Sequence, residues 1–185
     1  SQFRYVSPDL EIGRETSINK QLLQEMKDQR EEERTQAFVN EKSKESSVAF
    51  NDEYLAETGK AMAKNVGFNS EQVSRILLST KYGILKVEER ANQGSVVDQR
   101  KLALLFLNGE DVRKNNEEGI RWLKKAADNG DAEAQAILAN LYFEGKVLPK
   151  DEKMCADLIL KSALQGYSEA QFIVGGLYNL GICVP

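Results

Sequence analysis

Histidine is absent from this chain of 185 residues, and cysteine occurs only twice. Histidine is the commonest general base near neutral pH and the commonest metal ligand in proteins. Its absence excludes Ser-His and Cys-His catalysis and every histidine-ligated metal site. The two thiols, Cys155 and Cys183, are too few to complete a four-ligand zinc site. We therefore expect neither enzymatic activity nor a bound metal or other cofactor.

Long apolar runs and excess positive charge are missing as well. No stretch reaches the roughly 18 apolar residues that indicate a membrane-spanning helix, so we expect no membrane insertion. The chain has 25 basic and 29 acidic residues, a net charge of −4 and a pI near 5.1. Domains that track a nucleic-acid backbone are usually basic, often with a pI above ~9. Nucleic acid and anionic membrane surfaces are therefore not expected partners.

What the sequence does contain is an internal repeat of 36 residues. Shifting the chain against itself by this step aligns identical or similar residues twice in succession without a gap. The aligned sets are Gly94, Gly130 and Gly166; Gln99, Gln135 and Gln171; Gly109, Gly145 and Gly181; Leu105, Leu141 and Leu177; Phe106, Tyr142 and Tyr178; and Ala103, Ala139 and Gly175. A period of this length is typical of stacked helix pairs.

Each repeat is predicted to form two helices. In the second copy, Asp131 begins the first helix, and an acidic first turn suits the helix dipole. The apolar stripe of that helix comprises Leu138, Ala139, Leu141 and Tyr142. Gly145 ends the helix, Pro149 lies in the loop, and a second helix follows over residues 151–165. Gly166 then supplies a left-handed cap.

These residues resemble the Sel-one-like repeat, a relative of the tetratricopeptide repeat with a longer loop between its helices. The resemblance is carried by DAEAQAILANLYFEG at residues 131–145, LPKD at 148–151 and LILKSA at 158–163. WLKKAA at 122–127 and SEAQ at 168–171 extend it to the copies on either side. The first loop, GEDVRK at 109–114, departs from the pattern because it lacks proline.

The resemblance implies an all-α, right-handed α-solenoid with an N-terminal helical extension, from a bacterium. It further implies a scaffold or adaptor that binds another protein, in envelope assembly, secretion, signalling or host interaction. The location stays open between the bacterial cytoplasm and the periplasm or exterior. Two alternatives remain: a regulatory or targeting module of a larger protein, and a self-assembling structural component, so a homo-oligomer also stays open.

Three regions are predicted along the chain. Residues 1–50 form a charged arm, partly helical or disordered; 51–94 form a helical cap or a divergent repeat; and 95–185 hold the repeats. The repeat copies are 95–130, 131–166 and the truncated 167–185. Because the sequence stops inside the third loop, before that copy's second helix, we expect a fragment of a longer solenoid. A degenerate last helix that caps the array is the alternative.

Two helices are predicted in residues 51–94. The first begins after Asn51, ends at Gly67 and buries one face. That face comprises Tyr54, Leu55, Thr58, Ala61 and Met62. The second covers residues 71–93 after Asn69, and a break near Gly83 is its alternative. In the arm, the short stripe of Ile18, Leu22 and Met26 either binds a partner or the solenoid, or belongs to a solvated or partly disordered segment.

A ligand groove is predicted from the resemblance, since ligands of the tetratricopeptide fold lie along the first helix of each pair. Steps of three and four residues place each set of candidates on one helical face, opposite the core stripe. The candidates are Val97, Arg100, Leu104 and Leu107; Glu133, Ala136, Asn140 and Phe143; and Glu169, Phe172, Gly176 and Asn179. Their apolar members mark an interaction surface, unless the chain's own N-terminal helices or further repeats cover it.

The single tryptophan and the two cysteines lie outside the predicted groove. Trp122, the single tryptophan, lies in a second helix, where we expect it in the core rather than against a ligand. Cys155 and Cys183 could be joined by a disulfide if stacking brings them within ~5.5 Å between Cα atoms, but unbridged thiols are the favoured interpretation.

Overall fold

The computed structural model describes residues 8–180, and describes side chains over residues 20–176. In this part of the chain, eight helices are joined by short loops and no strand is formed beyond one isolated β-bridge. The helices are α1 (Pro8–Glu45), α2 (Asp52–Val66), α3 (Ser70–Asn92), α4 (Val96–Asn108), α5 (Asn116–Asp128), α6 (Ala132–Glu144), α7 (Glu152–Leu164) and α8 (Ser168–Leu180). The all-α solenoid predicted from the sequence is confirmed.

Helices α4 to α7 form two successive pairs of equal helix length. Within the pairs, α4 packs most extensively on α5, and α6 packs most extensively on α7. The contacts of α5 with α6, and of α7 with α8, connect one pair to the next. Ser95 and Asp131 cap the first helices, each accepting a backbone hydrogen bond three residues on. Gly109 and Gly145 end these helices in the left-handed conformation, with φ of 77° and 67°, which glycine adopts without a Cβ penalty.

The core runs along the interior of the helix pairs. Leu102, Phe106 and Leu123 are almost fully buried between α4 and α5, and the core continues through α6 into α7. Trp122 is 3% exposed, as predicted. Within the described residues its indole Nε1 has no hydrogen-bond partner, while Arg121 and Lys125 of its own helix lie over the ring. Trp122 is therefore a packing residue.

The glutamine of each repeat ties neighbouring second helices together. Gln135 donates from Nε2 to the carbonyl oxygen of Ala127 at 3.0 Å, and its own Oε1 accepts from Gln165 at 2.8 Å. Gln99 makes the same pair of contacts one repeat earlier, to Ala91 in α3 and from Asn129. The hydrogen bond that joins α4 to the end of α3 is therefore the same as the one that joins α6 to the end of α5.

The N-terminal helices pack on α3 rather than on the repeats. α3 is a single helix, which confirms the unbroken alternative, and Asn69 and Gln72 form a reciprocal capping box at its start. α2 (Asp52–Val66) is capped by Asn51 at its start and by Gly67 at its end, also as predicted. None of the helices in residues 8–180 is both long and apolar enough to cross a bilayer.

The predicted face of α2 is confirmed at Leu55, which is buried, and at Thr58 and Met62, which are half-buried, but is wrong at its edges. Leu55 and Gly59 are buried, whereas Tyr54 and Ala61 are exposed. The reason is Gly59: a Cβ at this position would lie 2.9 Å from the Val73 side chain. α2 and α3 therefore approach each other at Leu55 and Gly59, and Tyr54, five positions before the glycine, is turned away from the contact.

Besides the packing of α1 on α3, long-range contacts fix the segment that joins α1 to α2. Glu88, which is buried, accepts hydrogen bonds from the Ser46 hydroxyl and from the Ser47 amide and hydroxyl, at 2.9 and 2.7 Å for Ser47. In the second contact, Phe50 and Val112 form an antiparallel bridge between the segment before α2 and the α4–α5 loop. The Ser46–Ser47 turn and this bridge fix the polypeptide between α1 and α2.

Candidate partner-binding surface

The first predicted groove set lies on α4 and divides between the surface and the helix packing. Val97 is 49% exposed. Leu104 and Leu107 are half-buried, and Leu107 packs on α5, where a Cβ on Gly119 would lie 2.7 Å from the leucine Cγ. Leu107 therefore faces the partner helix of its own pair, while Val97 is accessible to a ligand.

Arg100 joins α4 to the beginning of α6. Its Nε donates to Asp131 at 2.9 Å and its Nη1 lies 2.7 Å from a carboxylate oxygen of Glu133. The arginine side chain is 17% exposed. Arg100, one of the predicted groove residues, thus holds two consecutive first helices together.

The second set lies on α6 and presents one aromatic ring to solvent. Phe143 is 59% exposed, and the Lys150 ammonium lies 5.9 Å from its ring centroid. Ala136 packs against the core. Asn140 donates to Glu144 at 2.9 Å, and this bond, reinforced by Lys146, holds the pKa of Glu144 below its usual range. The exposed face of α6 therefore presents the Phe143 ring with polar and charged side chains beside it.

The third set lies on α8. Phe172 is 85% exposed, and Gly176 is also at the surface. Glu169 accepts a hydrogen bond from the Tyr167 hydroxyl at 2.6 Å. That bond, together with burial and the nearby Glu133, raises the pKa of Tyr167 to about 12. Asn179 belongs to α8, but its side chain lies outside the described residues.

Several clefts are lined by α3, on its sides facing α1, α2 and α4. A cleft of about 770 Å³ lies between α1 and α2 with α3 as its floor, lined in part by Val39, Leu55 and Lys81. A smaller hollow of about 420 Å³, here called the α3–α4 hollow, lies between those two helices. It is lined by Ser79, Thr80, Gly83, Ile84, Val87, Lys101, Leu104, Leu105 and Asn108.

The α3–α4 hollow was not predicted from the sequence, because its α3 half lies outside the repeats that indicated the groove. One feature could have pointed to it. Gly83 lies in the middle of a long helix at an exposed position, where glycine costs roughly 0.5–1 kcal/mol relative to alanine. A glycine in such a place indicates a close approach or an open space.

The chemistry of the described side chains offers no site for a metal ion. Among residues 20–176, no three histidine, cysteine, aspartate or glutamate side chains are grouped as ligands. Cys155 is half-buried in the first turn of α7. Cys183 lies outside the described residues, so its pairing with Cys155 stays a prediction.

Comparison with known proteins places the repeats in a family. The family model described as Sel1 repeat matches residues 97–131 and 132–167. No curated protein matches the chain. A solved Sel1 repeat protein from Oxalobacter formigenes is 34% identical with a TM-score of 0.53, over 55% of this chain and 77% of that one.

A second solved structure is c5321, a protective antigen present in uropathogenic Escherichia coli strains, which displays an SLR fold. It is 26% identical with a TM-score of 0.52, over 55% of this chain but only 22% of its own length. Sel1 repeats are a non-catalytic scaffold type that generally mediates protein–protein interaction. The family model, the shared identity and the helix-pair solenoid agree, and this chain belongs to the Sel1 repeat family.

Proposed function

We propose that this protein is a scaffold or adaptor that binds a segment of a partner protein along the first helices of its repeats, α4, α6 and α8. The observation that carries the proposal is the exposure of Val97, Phe143 and Phe172, one large apolar side chain on each of the three helices. The predicted groove residues remain the proposed contact set. Exposed apolar side chains that recur along one surface are typical of an interaction site.

The packing of the N-terminal helices supports an open groove. α1 and α2 make their main contacts with α3, and neither packs extensively on α4, α6 or α8. The alternative that these helices cover the groove therefore has little support. Aromatic side chains in an uncovered position are the residues that most often supply binding energy when a partner buries them.

We further propose that the partner complex belongs to a bacterial envelope, secretion or signalling assembly. Both similar structures come from bacteria, and one is a protective antigen. The chain spans about a fifth of that antigen, which supports the alternative that these repeats act as a regulatory or targeting module within a larger protein.

The test compares two equally exposed apolar residues on opposite helix types. Phe172, on a first helix, is 85% exposed and Leu164, on a second helix, is 87% exposed. The double variant Phe143→Asp with Phe172→Asp and the control Leu164→Asp would each be used with the parent to capture proteins from a native bacterial extract. Circular dichroism would first establish that all three are folded.

We expect at least one protein that is captured equally well by the parent and by Leu164→Asp but is not captured by the double variant. Titration of that purified protein should then show at least about a tenfold weaker Kd for the double variant. Equal capture by all three proteins would contradict the groove. If a protein is captured by the parent and the double variant but not by Leu164→Asp, the binding surface lies on the second helices instead.

Self-assembly is a second candidate, favoured by one observation. Leu22, Leu23 and Met26 are exposed on α1, and side chains 20–31 of this helix are exposed throughout. A solvated helix with three neighbouring apolar residues can pair with a second copy. Light scattering at rising protein concentration would decide this: a dimer mass that returns to the monomer in Leu22→Glu with Met26→Glu would favour self-assembly over the adaptor.

A further inference from the structure

The α3–α4 hollow adjoins the proposed groove, because Leu104 contributes to both. Its floor and walls are apolar, formed by Gly83, Ile84 and Val87 of α3 with Leu104 and Leu105 of α4. At about 420 Å³, it falls within the range of roughly 300–1,000 Å³ that is usual for ligand pockets. A partner segment that lies along α4 would therefore pass beside an open apolar cavity.

Gly83 keeps this cavity open. A Cβ built on Gly83 would have no neighbouring atom within 4 Å. By contrast, Gly59 and Gly119 lie in helices where a Cβ would come within 2.9 and 2.7 Å of Val73 and Leu107. Close packing explains those two glycines but not Gly83, whose missing side chain instead leaves space for an incoming group.

Lys101 gives the cavity its charge. It is the one charged residue in the lining, and within the described residues it forms no salt bridge, whereas the neighbouring Arg90 and Arg100 pair with Asp98 and Asp131. Its charge acts on Asp98, three residues earlier, but that carboxylate is already paired with Arg90, and the exposed Lys101 side chain can pair with an external carboxylate. Hydrogen bonds in which both groups are charged are the stronger ones.

We infer that the α3–α4 hollow receives a large apolar side chain of the partner segment, with a neighbouring aspartate, glutamate or terminal carboxylate on Lys101. This inference rests on the proposed function and assigns the chemistry of the partner: an apolar anchor next to an acidic group. The apolar side chain is held by Ile84, Val87 and Leu104, and the carboxylate fixes its orientation.

The experiment selects short random displayed peptides on the immobilised full chain. The enriched peptides are then titrated by fluorescence anisotropy against four variants. Gly83→Leu fills the hollow, and Gly83→Ala is its control, since a methyl group leaves most of the volume free. Lys101→Glu reverses the charge, and Lys124→Glu, at an exposed position on α5, is its control.

Enriched peptides should carry Leu, Phe, Trp or Met next to Asp or Glu. Gly83→Leu and Lys101→Glu should each weaken their Kd by about tenfold or more, while both controls stay within about twofold. Circular dichroism identifies any unfolded variant, and because the two disruptive substitutions lie on different helices, either one tests the inference alone.

The remaining outcomes separate this inference from the proposed function. Peptides that lose binding with Phe143→Asp and Phe172→Asp, but bind Gly83→Leu and Lys101→Glu normally, would overturn the hollow and leave the groove in place. Peptides without an acidic residue, or no enrichment at all, would also overturn it. If the mass of the parent protein in solution rises with concentration, and Gly83→Leu has the monomer mass, the occupant of the hollow is a second copy of this chain. That outcome contradicts the inference.

Discussion

At the residue scale, the repeated glutamine does more than mark the period. Gln135 is buried, and it connects α6 to the last turn of α5 and to Gln165 at the end of α7. A helix leaves its last carbonyl groups without intrahelical partners. At each junction the glutamine amide gives one of these carbonyls a second donor beside the amide of the following glycine, which explains in physical terms why the same residue recurs every 36 positions.

Replacing Gln135 with alanine should lower the free energy of unfolding by about 1–2 kcal/mol, because its hydrogen bonds to the Ala127 carbonyl and from the Gln165 amide are lost, although the Ala127 carbonyl keeps the Gly130 amide as a donor. Gln171 is the matched control. It donates to Ala163 at 3.2 Å in the same way, but it is exposed, so water can replace it. Urea denaturation followed by circular dichroism measures both variants, and an equal loss in the two would show that burial does not determine the effect.

The residue scale also shows what a helical stripe cannot predict about a site. The spacing placed Val97, Arg100 and Leu107 on one face of α4. In the structure Val97 is exposed, whereas Arg100 bridges to α6 and Leu107 packs on Gly119. One face of a helix covers a wide angle, and neighbouring helices can contact the residues at its edges. Tertiary packing determines which helices do so, and the spacing of one stripe in the sequence does not encode that packing.

At the element scale, the α4–α5 loop explains its own departure from the repeat pattern. The position of Pro149 in the second repeat is occupied by Arg113 in the first. The Arg113 amide donates to Ala49 at 2.7 Å, and the Asn51 amide donates to Asp111 at 3.0 Å. Proline has no amide hydrogen, so a loop that pairs with the segment before α2 cannot carry it.

Arg113→Pro should release that segment from the loop. The substitution removes the bond to Ala49, which we expect to cost about 1–3 kcal/mol of local stability. Hydrogen exchange measured by mass spectrometry should be faster around Asn51 and Val112, and unchanged in α6 and α7.

Arg113→Ala is the control for this prediction, since it keeps the backbone amide and removes only the side chain. Slow exchange around Asn51 in both variants would mean that the bridge does not hold the segment. Fast exchange in both would assign the effect to the arginine side chain rather than to the amide.

At the scale of the whole molecule, the part governed by the repeat was predictable and the N-terminal attachment was not. The 36-residue period, the capping residues and the loop glycines predicted the helices of the solenoid. These helices begin and end through interactions between residues that are close in sequence. The contacts of Glu88 with Ser46 and Ser47, and of Val112 with Phe50, join residues 41 to 62 positions apart. Such pairings leave no periodic pattern, and so the sequence left the arm and the cap undecided.

The order of helix contacts also indicates how the molecule should unfold. Each helix from α4 to α7 makes its main contacts with the helix before it and the helix after it, as in a one-dimensional array. Leu158, in α7, is buried near one end of this array, and Leu123, in α5, is buried near its middle. Damage at the two positions should therefore spread over different helices.

Leu158→Ala should cost about 2–4 kcal/mol through the cavity that it leaves. Hydrogen exchange should then be faster in α6, α7 and α8, while α3 keeps the protection of the parent protein. Leu123→Ala, the matched substitution of a leucine in the middle of the array, should speed exchange in α4, α5 and α6 and extend towards α3. If both variants instead speed exchange equally in every helix from α3 to α8, the solenoid unfolds as one cooperative unit, and the nearest-neighbour description fails for this protein.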